Sequence, residues 1–428
     1  VKPQAIARAR RGSLYTVLAL VLLAAVFALA ARSWLQFYGE NRDATGLFTQ
    51  TDFPAIVIAS RLVASGAGAQ LYDLDAQLNE QKQMVREGYL RLSPSDAADL
   101  KYPYPYMPFI AVLWSPLAAL PPTASMALWD LLNLAAFVAG LWLLLAALPI
   151  PGIVRLLLLL GAITSLPFVV NLEQGQSSGI TMLAFGAGIA LMKRERDLPA
   201  GLALGLLVIK VQWLPLLLLV LLWKRRWQAL LGAALTAVGL TAVVSLIIGT
   251  SWIPGYIEVF GQAQQWSRAL LLDPHYSHSL GGGLVALLGP GAEGIVRTLN
   301  PLFMLLAAVL VLYTWRGPWQ PRSAAWDGAM ALTFLATILT SLHVNTHDLC
   351  LLVIPAALGI SFVWQSGQTE GAKTAWYALI WAAYLIPSLL LGPAFDLRVR
   401  PTTLVIALML GILAWSLWQR VGKQTLET

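Results

Sequence analysis

Residues 14–31 read LYTVLALVLLAAVFALAA, a run with no charged side chain. About 20 helical residues cross a hydrocarbon core roughly 30 Å thick, so this run is long enough to be a membrane span. Lys2, Arg8, Arg10 and Arg11 precede it, and Arg32, Trp34 and Gln36 follow it where a signal peptide would carry small residues for cleavage. The expectation is a retained span with a cytoplasmic N-terminus.

The rest of the chain repeats this pattern. Further apolar runs lie near 104–120, 123–147, 153–170, 178–192, 198–223, 228–249, 293–314, 325–342, 348–364, 375–391 and 402–418. With the first run they make about twelve candidate spans of bilayer-crossing length. Composition agrees: of 428 residues 58% are hydrophobic and only 11% charged, against roughly 25% charged in a soluble domain. The fold class expected is an all-α polytopic integral membrane protein, residues 1–428 forming one transmembrane domain with both termini cytoplasmic. Lys224, Arg225, Arg226, Arg316, Arg322, Lys373, Arg420 and Lys423 then fall on the cytoplasmic side, as the positive-inside rule prefers. Lys193, Arg194 and Arg196 dissent from this count. The alternative is that 198–223 is a hairpin of two short half-helices turning near Lys210 to Gln212.

Charge is unevenly spread. The segment 32–103 holds nine of the 21 acidic residues, Asp52, Asp73 and Asp99 among them, and is read as a structured first external loop with helices at 53–64 and 74–89, of a kind that lies flat at the interface. A second external loop, 250–292, contains His275, His278 and the triplet Gly281 to Gly283; shorter ones are 342–348 (LHVNTHD) and 392–400. The net charge of +7 is scattered over short loops, which points to anionic lipid headgroups and away from nucleic acid. The single Cys350 excludes an internal disulfide and any Cys-rich metal site. Phosphate-binding glycine loops, GxSxG and HExxH are absent. His275 with His278 and His343 with His347 have metal-ligand spacings, yet neither pair sits in a clear amphipathic helix, so no metal site is assigned.

Several polar residues stand out. Asp52, ahead of Phe53-Pro54, has the position and type of a helix N-cap. Tyr102-Pro-Tyr-Pro-Tyr106 opens a run with interface aromatics, and Asn171, Glu173, Gln174, Gly175 and Gln176 separate two others. Lys210 lies in mid-run, where a charge is costly unless paired or functional.

In combination these pieces resemble a known family. Thr51-Asp52-Phe53, Leu71-Tyr72-Asp73, Tyr104-Pro105, Ser115-Pro116-Leu117, Leu120-Pro121, Gln174-Gly175-Gln176, Ala200-Gly201 to Gly205 followed by Lys210, Trp223 to Trp227, and Thr346-His347-Asp348-Leu349 occur in the order seen in the polyprenyl-phosphate-sugar-dependent glycosyltransferases of family 87. The resemblance covers about 45–360, with Tyr106 where the family usually has a second Pro and Lys210-Val-Gln-Trp-Leu-Pro215 in place of its usual pattern. It implies a GT-C fold and transfer of a sugar, mannose first and arabinofuranose as the alternative, from a polyprenyl phosphate to a lipid-linked or glycan acceptor on the external face with inversion. It makes Asp52 the general base. Donor-phosphate candidates are His347, then Lys210, Arg398, Arg400 and His275, with Asp73, Arg61, Tyr104, Gln176 and Asp348 as pocket residues. No cofactor or metal is expected. The competing class is a polytopic transporter or lipid flippase, against which the nearly charge-free spans argue.

Overall fold

The computed structural model describes residues 51–262, 277–289, 291–390 and 399–424, with scattered helical positions between 21 and 35. Among the described residues the protein is helical and contains no strand. A small layer comes first: α1 (Phe53–Ala64), α2 (Leu74–Arg86), α3 (Pro94–Ala98) and α4 (Phe109–Trp114). The bundle follows with α5 (Pro122–Ala146), α6 (Gly152–Thr164), α7 (Leu166–Glu173), α8 (Ser178–Lys193), α9 (Asp197–Gly205), α10 (Pro215–Trp223) and α11 (Trp227–Ile248). It continues with α12 (Trp252–Gln262), α13 (Leu280–Leu288), α14 (Glu293–Thr314), α15 (Ala324–Thr340), α16 (Val353–Gln365), α17 (Glu370–Leu390) and α18 (Pro401–Gln424).

Five of the expected spans are helices long and apolar enough to cross a membrane: α5, α11, α14, the continuous segment Thr346–Gln365, and α18. The run at 153–170 is the pair α6–α7, bent by 43°. Ser165 and Pro167 explain the bend, since the proline lacks the amide that would continue α6 and the Ser165 hydroxyl caps the new helix at the Phe168 amide, 3.3 Å. α8 and α15 are shorter apolar helices, and 104–120 yields only α4 and a 3-10 turn at Ser115–Leu117. The run 198–223 is broken: α9 passes into a 3-10 stretch, Leu206–Trp213, in which Lys210 is extended (φ −130°, ψ 76°), and Pro215 opens α10. The first run, 14–31, lies largely outside the described residues.

The small layer differs from a surface amphipathic loop. Every residue of α1 from Phe53 to Val63 is buried except Arg61, because α1 packs on α4 and α2. Two buried glutamines of α2 do the connecting. Gln77 donates to the Leu71 carbonyl (2.8 Å) and accepts from the Tyr104 amide (2.9 Å). Gln81 donates to the Asp99 carbonyl (2.8 Å) and accepts from the amides of Lys101 (2.9 Å) and Tyr102 (3.2 Å). The chain from 99 to 104 is thereby laid along α2, which delivers Tyr104 and Tyr106 to the head of α1.

Within the bundle, glycines let backbones approach as membrane helices do. A Cβ on Gly186 would sit 1.9 Å from the Gly140 carbonyl oxygen, which brings α8 against α5, and Gly201 and Gly232 do the same for α9 and α11. α8, α15 and α16 connect two ends of the molecule. At 1.5 Å per residue a helix of 16 residues such as α8 covers about 24 Å. One end carries Gln176 and His347. The other carries a buried ion pair between Lys193 and Asp327, 2.5 Å, whose acid also accepts from Ser361 (2.6 Å) and Gln365 (2.9 Å).

Removing one partner of such a pair leaves an uncompensated charge, so Asp327→Ala should cost about 3–5 kcal/mol. Chemical unfolding in detergent micelles should show that loss, and Lys193→Met with Asp327→Leu should recover most of it; an Asp327→Ala protein as stable as wild type would refute the fastening role.

Candidate functional site

The turn between α7 and α8 is Gln174-Gly175-Gln176. Gly175 has φ +65° and sits so tightly against Phe53 that an added Cβ would lie 2.7 Å from the Phe53 Cβ, so glycine is required on both counts. The indole of Trp129 donates to the Gly175 carbonyl, 2.8 Å, and fixes the turn from the side of α5. The two flanking glutamines then point at two different functional groups.

Gln176 reaches Asp52. Its Nε2 donates to Asp52 Oδ2 at 2.7 Å and to the Tyr106 hydroxyl at 3.1 Å. Asp52 stands in the N-cap position of α1 with Pro54 in the first turn, but its side chain makes no capping bond. The carboxylate that sequence position would assign to capping is instead turned into the site. Burial pushes the Asp52 carboxyl up from its ordinary value, while the Gln176 hydrogen bond and the charge of Lys210 pull it part of the way back.

Gln174 reaches His347. His347 Nδ1 shares a hydrogen bond with the Gln174 side-chain amide at 2.8 Å, and its Nε2 faces Asp348 Oδ2 at 3.5 Å. Asp348 is shared: its Oδ1 accepts from Lys210 Nζ at 2.8 Å and its Oδ2 from the Asn345 amide at 3.2 Å. Both members of the Lys210–Asp348 pair are buried, 6% and 1% exposed. Lys210 can reach because its extended backbone breaks the helix there. His343 is close enough to feel both charges, and its Nδ1 is buried with no hydrogen-bond partner among the described residues.

His278 and Arg400 adjoin this group. His278 Nε2 is 3.2 Å from the Thr346 hydroxyl, and its backbone is tied to the Val344 carbonyl (2.8 Å) and to Thr403 (2.8 Å). Burial, reinforced by Arg400 and opposed by Asp348, pushes His278 down to about 4, so the ring is neutral at pH 7.

Five of the residues expected from sequence are therefore brought together: Asp52, Gln176, Lys210, His347 and Asp348. Arg400 lies beside them through His278. Three others have structural duties. Asp73 Oδ1 caps α2, accepting from the amides of Asp75 (2.9 Å) and Ala76 (3.1 Å). Arg61 is committed to Glu80 (2.5 Å) and Glu87 (2.7 Å) under the ring of Tyr89. Tyr104 is fully buried, its hydroxyl donating to the Met107 carbonyl at 2.7 Å behind Tyr106. His275 and Arg398 lie outside the described residues. Tyr106, Gln174, His278 and His343 join the site without having been assigned to it. The signal for Gln174 was its symmetry with Gln176 about Gly175. Among the described residues no group of three or more His, Cys, Asp or Glu is arranged to hold a metal ion.

The model of glycosyltransferase family 87 matches residues 104–355, more than half of the chain. The chain belongs to glycosyltransferase family 87. No curated protein and no solved structure matches it. Family membership and the apolar helices together make it a membrane glycosyltransferase, acting on a sugar donor and an acceptor. The match takes in Tyr106, the Gln174–Gln176 turn, Lys210, His347 and Asp348, and begins after Asp52.

Gly175→Ala should displace both glutamines from their partners. Backbone strain and the Phe53 clash should each destabilise, about 1 kcal/mol or more in sum. Transfer should fall more than thermal stability does; full transfer activity in this variant would remove the turn from the site.

Proposed function

We propose that this family 87 enzyme has the GT-C fold and transfers a sugar, mannose in the first instance, from a polyprenyl phosphate to a hydroxyl of a glycan or glycolipid acceptor, with inversion. The observation that carries the reading is Asp52: a carboxylate at a helix head that does not cap, is raised by burial, and is held by Gln176. A general base must accept a proton from the attacking hydroxyl within hydrogen-bond reach, and a carboxyl raised toward neutrality does this better than an ordinary one.

In the proposed step the acceptor oxygen attacks the anomeric carbon from the face opposite the phosphate. Its proton passes to Asp52, the new glycosidic bond forms, and the bond to phosphate breaks with its electron pair on the phosphate oxygen. Lys210 spends one donor on Asp348 and has two more for that developing charge, with His347, His278 and Arg400 around it. Tyr106 and Gln176 orient Asp52.

An apolar crevice of about 180 Å³ supports a lipid-borne donor. It is lined by Leu349 and Cys350, directly after Asp348 in sequence, and by Leu158, Ile360, Trp381 and Tyr384 of α6, α16 and α17. The first isoprene units of a polyprenyl chain seated there would lie next to the segment that carries Asp348, the partner of Lys210. The excess of Lys and Arg at the Lys193 end supports a cytoplasmic position for that end by the positive-inside rule, with Asp52 then on the external face.

Asp52→Asn should lower transfer roughly 10²–10⁴-fold while donor binding survives. Retained turnover in that variant would sink the general-base role. In wild type the rate should fall as pH drops through the raised pKa of Asp52, above its ordinary value of 3.8. Gln176→Leu removes a bond that favours the charged form, so the acid limb should move to higher pH, measured as kcat/KM with a soluble acceptor. His347→Ala should raise the KM for donor more than that for acceptor; an unchanged donor KM would count against its place near the phosphate.

A further inference from the structure

The end of the bundle remote from Asp52 is organised by charge. The loop after α8, the turn between α10 and α11, and the loop between α14 and α15 meet there: Lys193 Nζ donates to the Pro321 carbonyl at 2.8 Å, Lys224 Nζ donates to the Gly317 carbonyl, and Arg226 lies over the ring of Trp319. Each carboxylate in these loops is already occupied. Asp327 holds Lys193, Asp197 holds Arg226, and Glu195 pairs with Arg322 at 3.5 Å. Lys224, Arg225 and Arg316 have no carboxylate partner among the described residues.

These three cations line a single cleft of about 500 Å³, together with Leu219, Leu222 and Trp223, and no acid is among its walls. Arg225 takes φ 51° as the residue that closes the C-terminus of α10, its amide bonding the Leu222 carbonyl and the Arg226 amide the Leu221 carbonyl, which seats it at the end of the helix. Arg316 is stacked on Tyr313 at 4.0 Å from the ring centre, so its guanidinium is fixed at the rim. One wall is greasy and open, with Leu222 and Trp223 51% and 53% exposed. Beyond Arg316 a wider crevice continues between α14 and α18, with the exposed indoles of Trp415 and Trp418 on it.

Like charges converging without a counter-ion, beside exposed leucine and tryptophan at the end of a membrane bundle, make a site for an anion that carries its own apolar tail. We propose that this cleft binds the headgroup of an anionic phospholipid of the surrounding bilayer, its phosphate on Lys224, Arg225 and Arg316 and its acyl chains along Leu222 and Trp223. Basic pockets between membrane helices on the cytoplasmic side take such headgroups. The proposal is independent of the transfer chemistry at the opposite end.

The full-length protein, purified from mixed phosphatidylglycerol and phosphatidylcholine nanodiscs, should retain phosphatidylglycerol in preference when bound lipid is counted by native mass spectrometry. Arg225→Gln and Arg316→Gln, both on exposed side chains, should each reduce that preference roughly fivefold, the effect of one cation near a charged bilayer. Their combination with Lys224→Gln should abolish it. Arg194→Gln with Arg196→Gln, which alters two exposed cations outside the cleft, should leave it intact. The thermal midpoint in detergent checks folding, and because Lys224 also fastens two loops, the Arg225–Arg316 double variant decides the matter if the triple variant unfolds. An unchanged preference in the cleft variants would overturn the site, as would an equal loss in the Arg194–Arg196 control. Displacement of the lipid by millimolar inorganic phosphate would mark a free-anion site and would also overturn it.

Discussion

The Lys210–Asp348 pair is the constraint on which the site depends. Two unit charges in an apolar bundle cost several kcal/mol each unless they meet with good geometry and have their remaining valences filled. Here they are 138 positions apart in sequence and 2.8 Å apart in space. Meeting requires both segments to abandon regular α geometry. Lys210 is extended inside a 3-10 stretch, and the segment carrying Asp348 opens as the 3-10 turn Thr346–Leu352 before it becomes α16. The second oxygen of Asp348 holds the Asn345 amide, and Val344 beside it is strapped to Ser277 and His278. One ion pair thus sets the position of three histidines.

Asp52 belongs to a different part of the molecule and is joined to this group by a single turn. The path begins in α2, whose buried glutamines hold the strand-like stretch 99–104 and so place Tyr106. Tyr106 in turn has its carbonyl held by the Tyr72 hydroxyl at 2.7 Å and its own hydroxyl held by Gln176. On the other side Phe53, immediately after Asp52, packs on Gly175 and against Trp114 and Trp129. The Gln174-Gly175-Gln176 turn therefore couples the small layer to the bundle core. A displacement of either would be felt at both Asp52 and His347.

How much of this was legible in the sequence depends on distance along the chain. Helical spans announce themselves by local composition, and α5, α11, α14 and α18 fall where the apolar runs are. The break at Lys210 was open as an alternative, because a lysine and a proline five residues later disturb a helix locally. The partner of Lys210 was not legible: nothing in residues 206–213 points to position 348. Asp52 looked like an N-cap from its neighbours, and only the placement of Gln176, 124 positions on, explains why it does not cap. Asp73 and Arg61 show the converse. Their roles, a cap and a pair of ion contacts within one loop, are settled by neighbours close in sequence, whereas the resemblance had assigned them to a pocket. The burial of α1 was equally hidden, since its moderate amphipathicity gave no sign that other helices of the same loop would cover it.

The protein contains two buried lysine–aspartate pairs, and their difference separates a fastener from a site. At Lys193–Asp327 one oxygen of the acid pairs with the lysine and the other accepts from Ser361 and Gln365, and the lysine donates as well to the Pro321 carbonyl. Such a network spends both charges on joining helices to one another. Around Lys210–Asp348 the lysine has a single partner among the described residues. Lys210 thus has donors to spare, whereas Lys193 divides its own between Asp327 and the Pro321 carbonyl. Two glutamines, three histidines and a raised carboxyl thus gather round a lysine that still has donors to offer. Leu349 and Cys350, next in sequence to Asp348, line the apolar crevice between α6, α16 and α17, so the same short segment that fixes the ion pair also brings polar and apolar surfaces side by side.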